Sequence, residues 1–138
     1  MKDKKDQSER RRYLNEEKKK QEEKKEFYNN QIERLKLLLG YNQKEIEYNK
    51  GWINFHNNAI KNHKEQINEL KDIKEINDQE LKLNFHVKQI GDHHNQYINY
   101  HEKEIENTNK EINIFLENLK NCENQIDFLN SKLMENTS

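Results

Sequence analysis

The sequence predicts an all-α protein built from an elongated coiled coil, and three observations carry that prediction. Isoleucine or leucine recurs at seven-residue intervals in two separate stretches of the chain. There is no proline and there are only three glycines, so few positions force a helix to end. Charged residues make up 37% of the chain and hydrophobic residues 30%, which is too little apolar material for a large core. Helices that share a narrow apolar seam satisfy all three observations.

Two ladders of apolar residues define the predicted seam. Two helical turns take close to seven residues, so each ladder lies along one face of a helix. The first ladder consists of Ile32, Leu39, Ile46, Ile53, Ile60 and Ile67. The second consists of Ile98, Ile105, Ile112, Leu119, Ile126 and Leu133. The companion positions, three residues after each step of a ladder, are apolar near the chain ends and mostly Asn or His toward the middle.

The first ladder loses its phase after Leu70, and the second ladder is three residues out of step with it. A break in register between two strong ladders is where a chain can turn back on itself. Asn77 with Glu80 three residues later has the spacing of a capping box. We therefore expect an antiparallel helical hairpin with its turn within 76–84 and arms of about 28–76 and 78–134.

The hydrophobic pattern alone leaves the pairing of the arms open. If ladder residues meet companion residues, paired residue numbers add to 154, 161 or 182, because these sums differ by whole heptads. Matched ends of the seam favour 161, which places Cys122 opposite Leu39. A sum of 182 would put the turn at Gly91 instead. The alternative architecture is one continuous helix that dimerises in parallel and absorbs the phase shift as local overwinding.

Residues 1–27 differ in composition from 28–134, which form the predicted coiled-coil domain. They carry net charge +3 and repeatedly place acidic and basic residues four apart, as in Glu16 and Lys20. Such pairs stabilise a helix by about 0.2–0.5 kcal/mol each without any tertiary contact. We expect a charged, solvated extension that is helical or disordered, and a disordered tail at 135–138.

A repeated aromatic motif marks the predicted partner interface. Trp-Ile-Asn-Phe-His at 52–56 is echoed by Tyr-Ile-Asn-Tyr-His at 97–101, and further aromatic residues flank the first copy. A two-stranded coiled coil needs only a narrow seam, so this wider apolar face implies a third or fourth helix from another copy or another protein. The predicted interface residues are Tyr48, Trp52, Phe55, His56, Tyr97, Tyr100 and His101.

The sequence carries no sign of catalysis, of a cofactor or of a small-molecule substrate. It has no Gly-rich phosphate loop and no nucleophile elbow, and Cys122 reads as a small seam residue. The histidines are adjacent or seven apart along a helix, whereas metal ligands on one helix stand three or four apart. We therefore expect no metal site, and we interpret the histidines as polar layers that loosen when protonated.

These features favour a non-enzymatic structural or scaffolding coiled-coil protein that self-associates or docks into a larger helical assembly. The alternative is a nucleic-acid- or filament-binding protein that uses the basic stretch around Arg10-Arg11-Arg12. Acidic residues are interleaved with that stretch, which disfavours a phosphate-binding surface. The single cysteine fits a reducing compartment, and no apolar run approaches the length of a bilayer span, so we expect a cytoplasmic or nuclear protein.

Overall fold

The computed structural model of the protein describes residues 4–135, and these residues are almost entirely helical. Helix α1 is Lys4–Glu69, α2 is Ile73–Gln89 and α3 is Asn95–Glu135, with a π-helical segment at Ile90–His94 between α2 and α3. Within 4–135 there is no β-strand. The predicted all-α class is confirmed.

The chain turns at residues 70–72, directly after the first ladder loses its phase. The backbone N–H of Leu70 still bonds to the carbonyls of Gln66 and Ile67, at 3.2 and 3.3 Å. Asp72 is extended (φ −84°, ψ 124°) and its carboxylate accepts a hydrogen bond from the Lys74 backbone N–H at 3.1 Å, so it caps α2. Replacing such a cap by alanine costs about 1 kcal/mol.

The turn predicted within 76–84 is therefore wrong, because α2 covers those residues without a break. Asn77 and Glu80 lie inside α2 and cap nothing. The alternative of one continuous helix fails at the same interruption between α1 and α2. The sequence did contain the correct signal: Asp72 is followed three residues later by Glu75, the spacing of a capping box.

The described residues form two compact units, 4–37 with 108–135 and Leu38–Asn107. In the second unit, four side-chain pairs join α1 to the later helices: His63–Gln79, His56–His86, Asn49–His94 and Asn42–His101. As the number on α1 falls, the partner's number rises, so the two segments of this unit run antiparallel.

The observed pairing in the second unit differs from the predicted one. Asn42 and Asn49 follow their ladder residues by three, and each hydrogen-bonds to a histidine, His101 or His94, at the equivalent companion position. Companion residues therefore meet companion residues, not ladder residues. The paired numbers add to 143 in these layers, so the predicted sums of 154, 161 and 182 are wrong.

The π-helical segment changes this pairing by one residue. The pairs before it, His56–His86 and His63–Gln79, have numbers that add to 142, and those after it add to 143. The backbone N–H of Asn95 bonds to the Ile90 carbonyl, five residues back, which is the wider π-helical turn. The extra residue makes the step from His86 to His94 eight residues instead of seven.

The first unit has the most apolar part of the seam. Leu35 is 1% exposed, and Leu14, Ile32, Ile112, Cys122 and Leu129 are also buried. The rings of Tyr28 and Phe115 lie 6.0 Å apart, and Lys25 pairs with Glu123 at 3.7 Å. The Tyr28–Phe115 numbers also add to 143, which places Cys122 opposite Gln21 and not opposite Leu39.

The N-terminal stretch is part of α1, and this helix continues through residue 27 without a break. The burial of Leu14 and the Lys25–Glu123 ion pair differ from the expectation of a solvated extension over 1–27. At the other end, Glu135 is the last residue of α3, and the rest of the predicted disordered tail, 136–138, lies outside the described residues.

The twelve ladder residues all lie on the covered side of their helices. Ile32, Ile46, Ile98 and Ile112 are buried, and the other eight are half-buried. Some of the apolar residues after Leu70 continue a seven-residue repeat once the extra residue is counted, whereas Ile73 and Leu81 are exposed. Ile76, Leu83 and Ile90 are half-buried at seven-residue steps, and Ile98 follows after eight.

Candidate functional site

A stripe of exposed apolar side chains runs along α1 in the second unit. We call Leu38, Tyr41, Tyr48, Trp52 and Phe55 the aromatic stripe, and their exposed fractions are 37, 56, 62, 39 and 55%. The stripe lies beside the seam ladder, at positions that α2 and α3 leave uncovered. An exposed apolar patch of this kind is a candidate interaction surface.

The rings of the stripe support one another in edge-to-face geometry. Tyr48 and Trp52 are 6.3 Å apart between ring centroids at 79°, and Trp52 and Phe55 are 5.6 Å apart at 85°. The indole of Trp52 is also nearly parallel to the His94 ring, with a centroid distance of 6.1 Å and an angle of 5°. These contacts hold three large side chains in place on the surface and reduce the entropy that a partner would have to remove.

Two tyrosines of α3 extend the aromatic surface. Tyr97 and Tyr100 are 54 and 59% exposed. They line a groove of about 580 Å³ together with Tyr41, Glu45 and the π-helical segment. The stripe on α1 and the tyrosines of α3 therefore lie on the same side of the second unit, which we call the aromatic face.

Beneath the aromatic face, the seam of the second unit contains polar layers that alternate with its isoleucine and leucine layers. His63 Nδ1 is 2.7 Å from Gln79 Oε1, and His56 Nδ1 is 2.7 Å from His86 Nδ1. Further along the helices, His94 Nδ1 is 3.0 Å from Asn49 Oδ1, and His101 Nδ1 is 2.7 Å from Asn42 Oδ1. Each layer thus has a histidine and a hydrogen-bonding partner from the other arm.

The asparagines orient the histidines opposite them. Asn42 Nδ2 donates to the Leu38 carbonyl at 3.0 Å, and Asn49 Nδ2 donates to the Glu45 carbonyl at 2.8 Å. Both amide oxygens therefore face the seam as acceptors, so His94 and His101 donate through Nδ1. In the His56–His86 layer, one Nδ1 donates its N–H and the other Nδ1 accepts that hydrogen bond.

Three histidines of this cluster have a pKa below the usual value of 6.5. Burial is the main cause for His56, His86 and His94, because a charged imidazole loses hydration inside the seam. Neighbouring histidines lower the pKa further: His94 acts on His56, His56 and His63 act on His86, and His93 acts on His94. At neutral pH these side chains are uncharged and suited to hydrogen bonding within the seam.

The seven predicted interface residues divide into two groups. Tyr48, Trp52, Phe55, Tyr97 and Tyr100 lie on the aromatic face. His56 and His101 are only 6 and 7% exposed, and they form seam layers beneath that face. The role of His86 as a seam residue was missed because the extra residue of the π-helical segment hides its heptad position.

The structure pairs His56 and His101 with different side chains. A metal bound between the arms would have used His56 with His101, but His56 meets His86 instead. Across residues 4–135 there is no group of three or more His, Cys, Asp or Glu side chains arranged to hold a metal ion. Cys122 is a free cysteine that is buried in the first unit.

Several cations of the basic N-terminal stretch are paired with acids of the same helix. Arg12 lies 3.3 Å from Glu16, and Lys20 lies 3.3 Å from Glu17. Lys18 lies 3.9 Å from Glu22. These exposed pairs add little stability, but they offset positive charge that a phosphate backbone would need.

Comparison with known proteins gives no relative from which a function could be transferred. No protein-family model matches the chain, and no curated protein or solved structure is significantly similar to it. No helix among the described residues is both long enough and apolar enough to cross a bilayer. The candidate site therefore rests on the aromatic face and its polar seam alone.

Proposed function

We propose that this protein is a non-enzymatic structural protein, an antiparallel coiled-coil hairpin whose aromatic face docks onto another helical chain. It acts as a scaffold or spacer and either self-associates or joins a larger helical assembly. The free Cys122 is compatible with the reducing cytoplasm or nucleus.

The observation that carries this proposal is the contrast between the seam and the aromatic face in the second unit. Inside the seam, layers of histidine, asparagine and glutamine alternate with the covered isoleucine and leucine layers of the ladders. Outside it, the six large aromatic side chains of the aromatic face are at least 39% exposed. A chain that places polar groups inside and aromatic rings outside loses stability as an isolated hairpin, and covering the rings offsets that loss.

The proposal is tested by the size of the particle that contains the chain in cells. We expect a tagged full-length chain in cell extract to sediment as an assembly well above its own mass of 17.0 kDa. Tyr48→Glu should shift the chain to the monomer position, because a carboxylate would be buried in an apolar contact. Gradient sedimentation with detection of the tag measures both.

Tyr13→Glu is the matched control. Tyr13 lies on the same helix and is 60% exposed, close to the 62% of Tyr48, but it belongs to the first unit. This variant should sediment like the unaltered chain. A tagged chain that sediments as a monomer in extract would contradict the proposed function.

A further inference from the structure

We propose that the chain covering the aromatic face is a second copy of this protein, with the two α1 helices antiparallel and crossing beside Gly51. This inference rests on the proposed function and names its partner. It requires that the face fits a helix, that it fits its own copy, and that the contact is large enough for a stable dimer.

The spacing of the side chains along the aromatic stripe fits a helix as the partner. The aromatic stripe, with Glu45 and Ala59 added, follows alternating steps of three and four residues on α1, which is the repeat of a coiled-coil seam. Six of the seven positions are apolar, and the seventh, Glu45, is half-buried beside the groove. These positions are Leu38, Tyr41, Glu45, Tyr48, Trp52, Phe55 and Ala59.

The stripe is complementary to itself when one copy is reversed. If Tyr48 of each copy faces Trp52 of the other, Tyr41 faces Ala59, so a large side chain meets a small one, and Glu45, the one polar position of the contact, faces Phe55. In the same arrangement the two Gly51 residues are offset by two positions, about 3 Å along the helix axes, so they lie close together at the crossing. Gly51 borders the stripe together with Tyr48, Trp52 and Phe55, and its missing side chain leaves room for two helices to approach closely.

The exposed aromatic surface is large enough for a dimer contact. Tyr41, Tyr48, Trp52, Phe55, Tyr97 and Tyr100 are each between 39 and 62% exposed. A tyrosine, phenylalanine or tryptophan can bury roughly 150–250 Å², so the exposed portions amount to roughly 600 Å² per copy. Two copies would remove about 1,200 Å² from water, which reaches the lower end of the range for specific protein interfaces.

A cysteine at the crossing point tests the partner and its direction together. In a Cys122→Ser background, Gly51→Cys should give a disulfide-linked dimer under mild oxidation, in high yield at dilute protein concentration. A side chain at Gly51 would meet no atom within 4 Å of its Cβ in the single chain, so the substitution is compatible with the helix. Non-reducing electrophoresis measures the yield.

Lys50→Cys in the same background is the matched control. Residue 50 is exposed and adjacent in sequence, but it lies on the side of α1 that points away from the stripe. It should crosslink at least about tenfold more slowly. Equal rates at the two positions, or no disulfide at Gly51→Cys, would overturn the proposed contact.

Light scattering of the purified chain gives a second measurement that needs no cysteine. The mass should be twice 17.0 kDa at high concentration, and Tyr48→Glu should weaken dimerisation by at least about tenfold, the effect of losing one interface hot spot. Tyr13→Glu should leave the dimer unchanged. Tyr48 is the preferred site because it is 62% exposed outside the seam, whereas Trp52 also stacks on His94 of the seam.

The two proposals fail in different ways. If the purified chain stays monomeric while the tagged chain in extract sediments as an assembly, the second copy is wrong and docking onto another helical chain stands. If the chain is monomeric in both settings, both proposals are wrong. A purified dimer that Tyr48→Glu leaves intact would show that the copies meet elsewhere.

Discussion

Five of the six histidines lie in the seam of the second unit, and their position explains both their hydrogen bonds and their titration. His63, His86, His94 and His101 each face a partner across the arms, as does His56. Polar layers of this kind lower stability but penalise pairings that slip by less than a heptad, because such a slip would bring a polar group against an apolar one. The histidines therefore help to select the alignment of the arms.

Acid should destabilise the second unit through these histidines. The pKa values of His56, His86 and His94 are lowered in the folded state, so the unfolded chain binds more protons below pH 6.5. Stability is therefore highest above about pH 6.5 and is lost as the pH falls toward the lower folded-state pKa values. Circular dichroism should show a melting temperature several degrees lower at pH 5.5 than at pH 8.

His56→Asn provides the control for this prediction. The chain already pairs asparagine with histidine in the two neighbouring layers, Asn49–His94 and Asn42–His101, so the variant keeps the type of contact and removes one titrating group. Its loss of melting temperature in acid should be smaller. Identical melting of the unaltered protein at pH 8 and 5.5 would contradict the prediction.

For individual residues, the sequence predicted which side chains form the polar layers but not which side chains pair across the seam. The seven-residue phase places Asn42, Asn49, His56 and His101 at companion positions, and all four are buried. The partners could not be derived, because the hydrophobic pattern is unchanged when one arm slides by a whole heptad. Hydrogen bonds between specific side chains distinguish these alignments, and they depend on distances that a periodic sequence does not contain.

Among the elements, the π-helical segment Ile90–His94 has the clearest structural consequence. It inserts one residue between two stretches that otherwise repeat every seven, so His86 and His94 both face α1. A π-helical turn is less favourable than an α-helical one and persists where a packing requirement maintains it. Here that requirement is the alignment of the layers on both sides of the segment.

Removing one residue tests this account of the π-helical segment. Deletion of His93, which is exposed, should restore a uniform seven-residue repeat and leave the melting temperature unchanged or raised. Deletion of Asn99, which is also exposed but lies within α3, should move His101 out of the layer that it shares with Asn42 and lower the melting temperature. Equal changes in melting temperature for the two deletions would contradict this role of the π-helical segment.

The helices could be predicted from the sequence, but the turn was misplaced. Turn-forming residues at 77–80 and at Gly91 attracted the prediction, and both sites lie within helical segments. The actual turn contains neither glycine nor proline. Its signal was the loss of phase after Leu70 followed by the Asp72 cap, and the π-helical insertion obscured it by disturbing the phase a second time.

For the whole molecule, the N-terminal stretch has a different role from the one its composition suggested. The Tyr28–Phe115 pairing places Leu14 opposite Leu129 and Gln21 opposite Cys122 in the first unit. Composition was misleading because the run of lysine and glutamate contains only one leucine, Leu14. One buried leucine in two heptads is enough to cover the seam when the facing arm supplies its other apolar residues.

Truncation tests whether the N-terminal stretch is a solvated extension or covers the seam of the first unit. Removing residues 1–27 should uncover Cys122, accelerate its reaction with a thiol reagent at least about tenfold and cost about 2 kcal/mol or more for the lost burial of Leu14 and its neighbours. Removing residues 1–13 keeps Leu14 and should leave Cys122 protected. If Cys122 reacts at the same rate in both truncated chains and in the unaltered one, the stretch does not cover the seam.

The polar layers of the second unit also bear on the order in which its contacts close. The sequence separations of the paired side chains are 16, 30, 45 and 59 residues, moving away from the turn at 70–72. The entropy lost on closing a loop grows with its length, so the His63–Gln79 layer has the smallest closure cost. Each layer that forms shortens the loop left for the next one to about two heptads. Formation of the layers in order from the turn outward therefore has the lowest entropy cost. In this order the hydrogen-bonding side chains fix the alignment of the two arms early in folding.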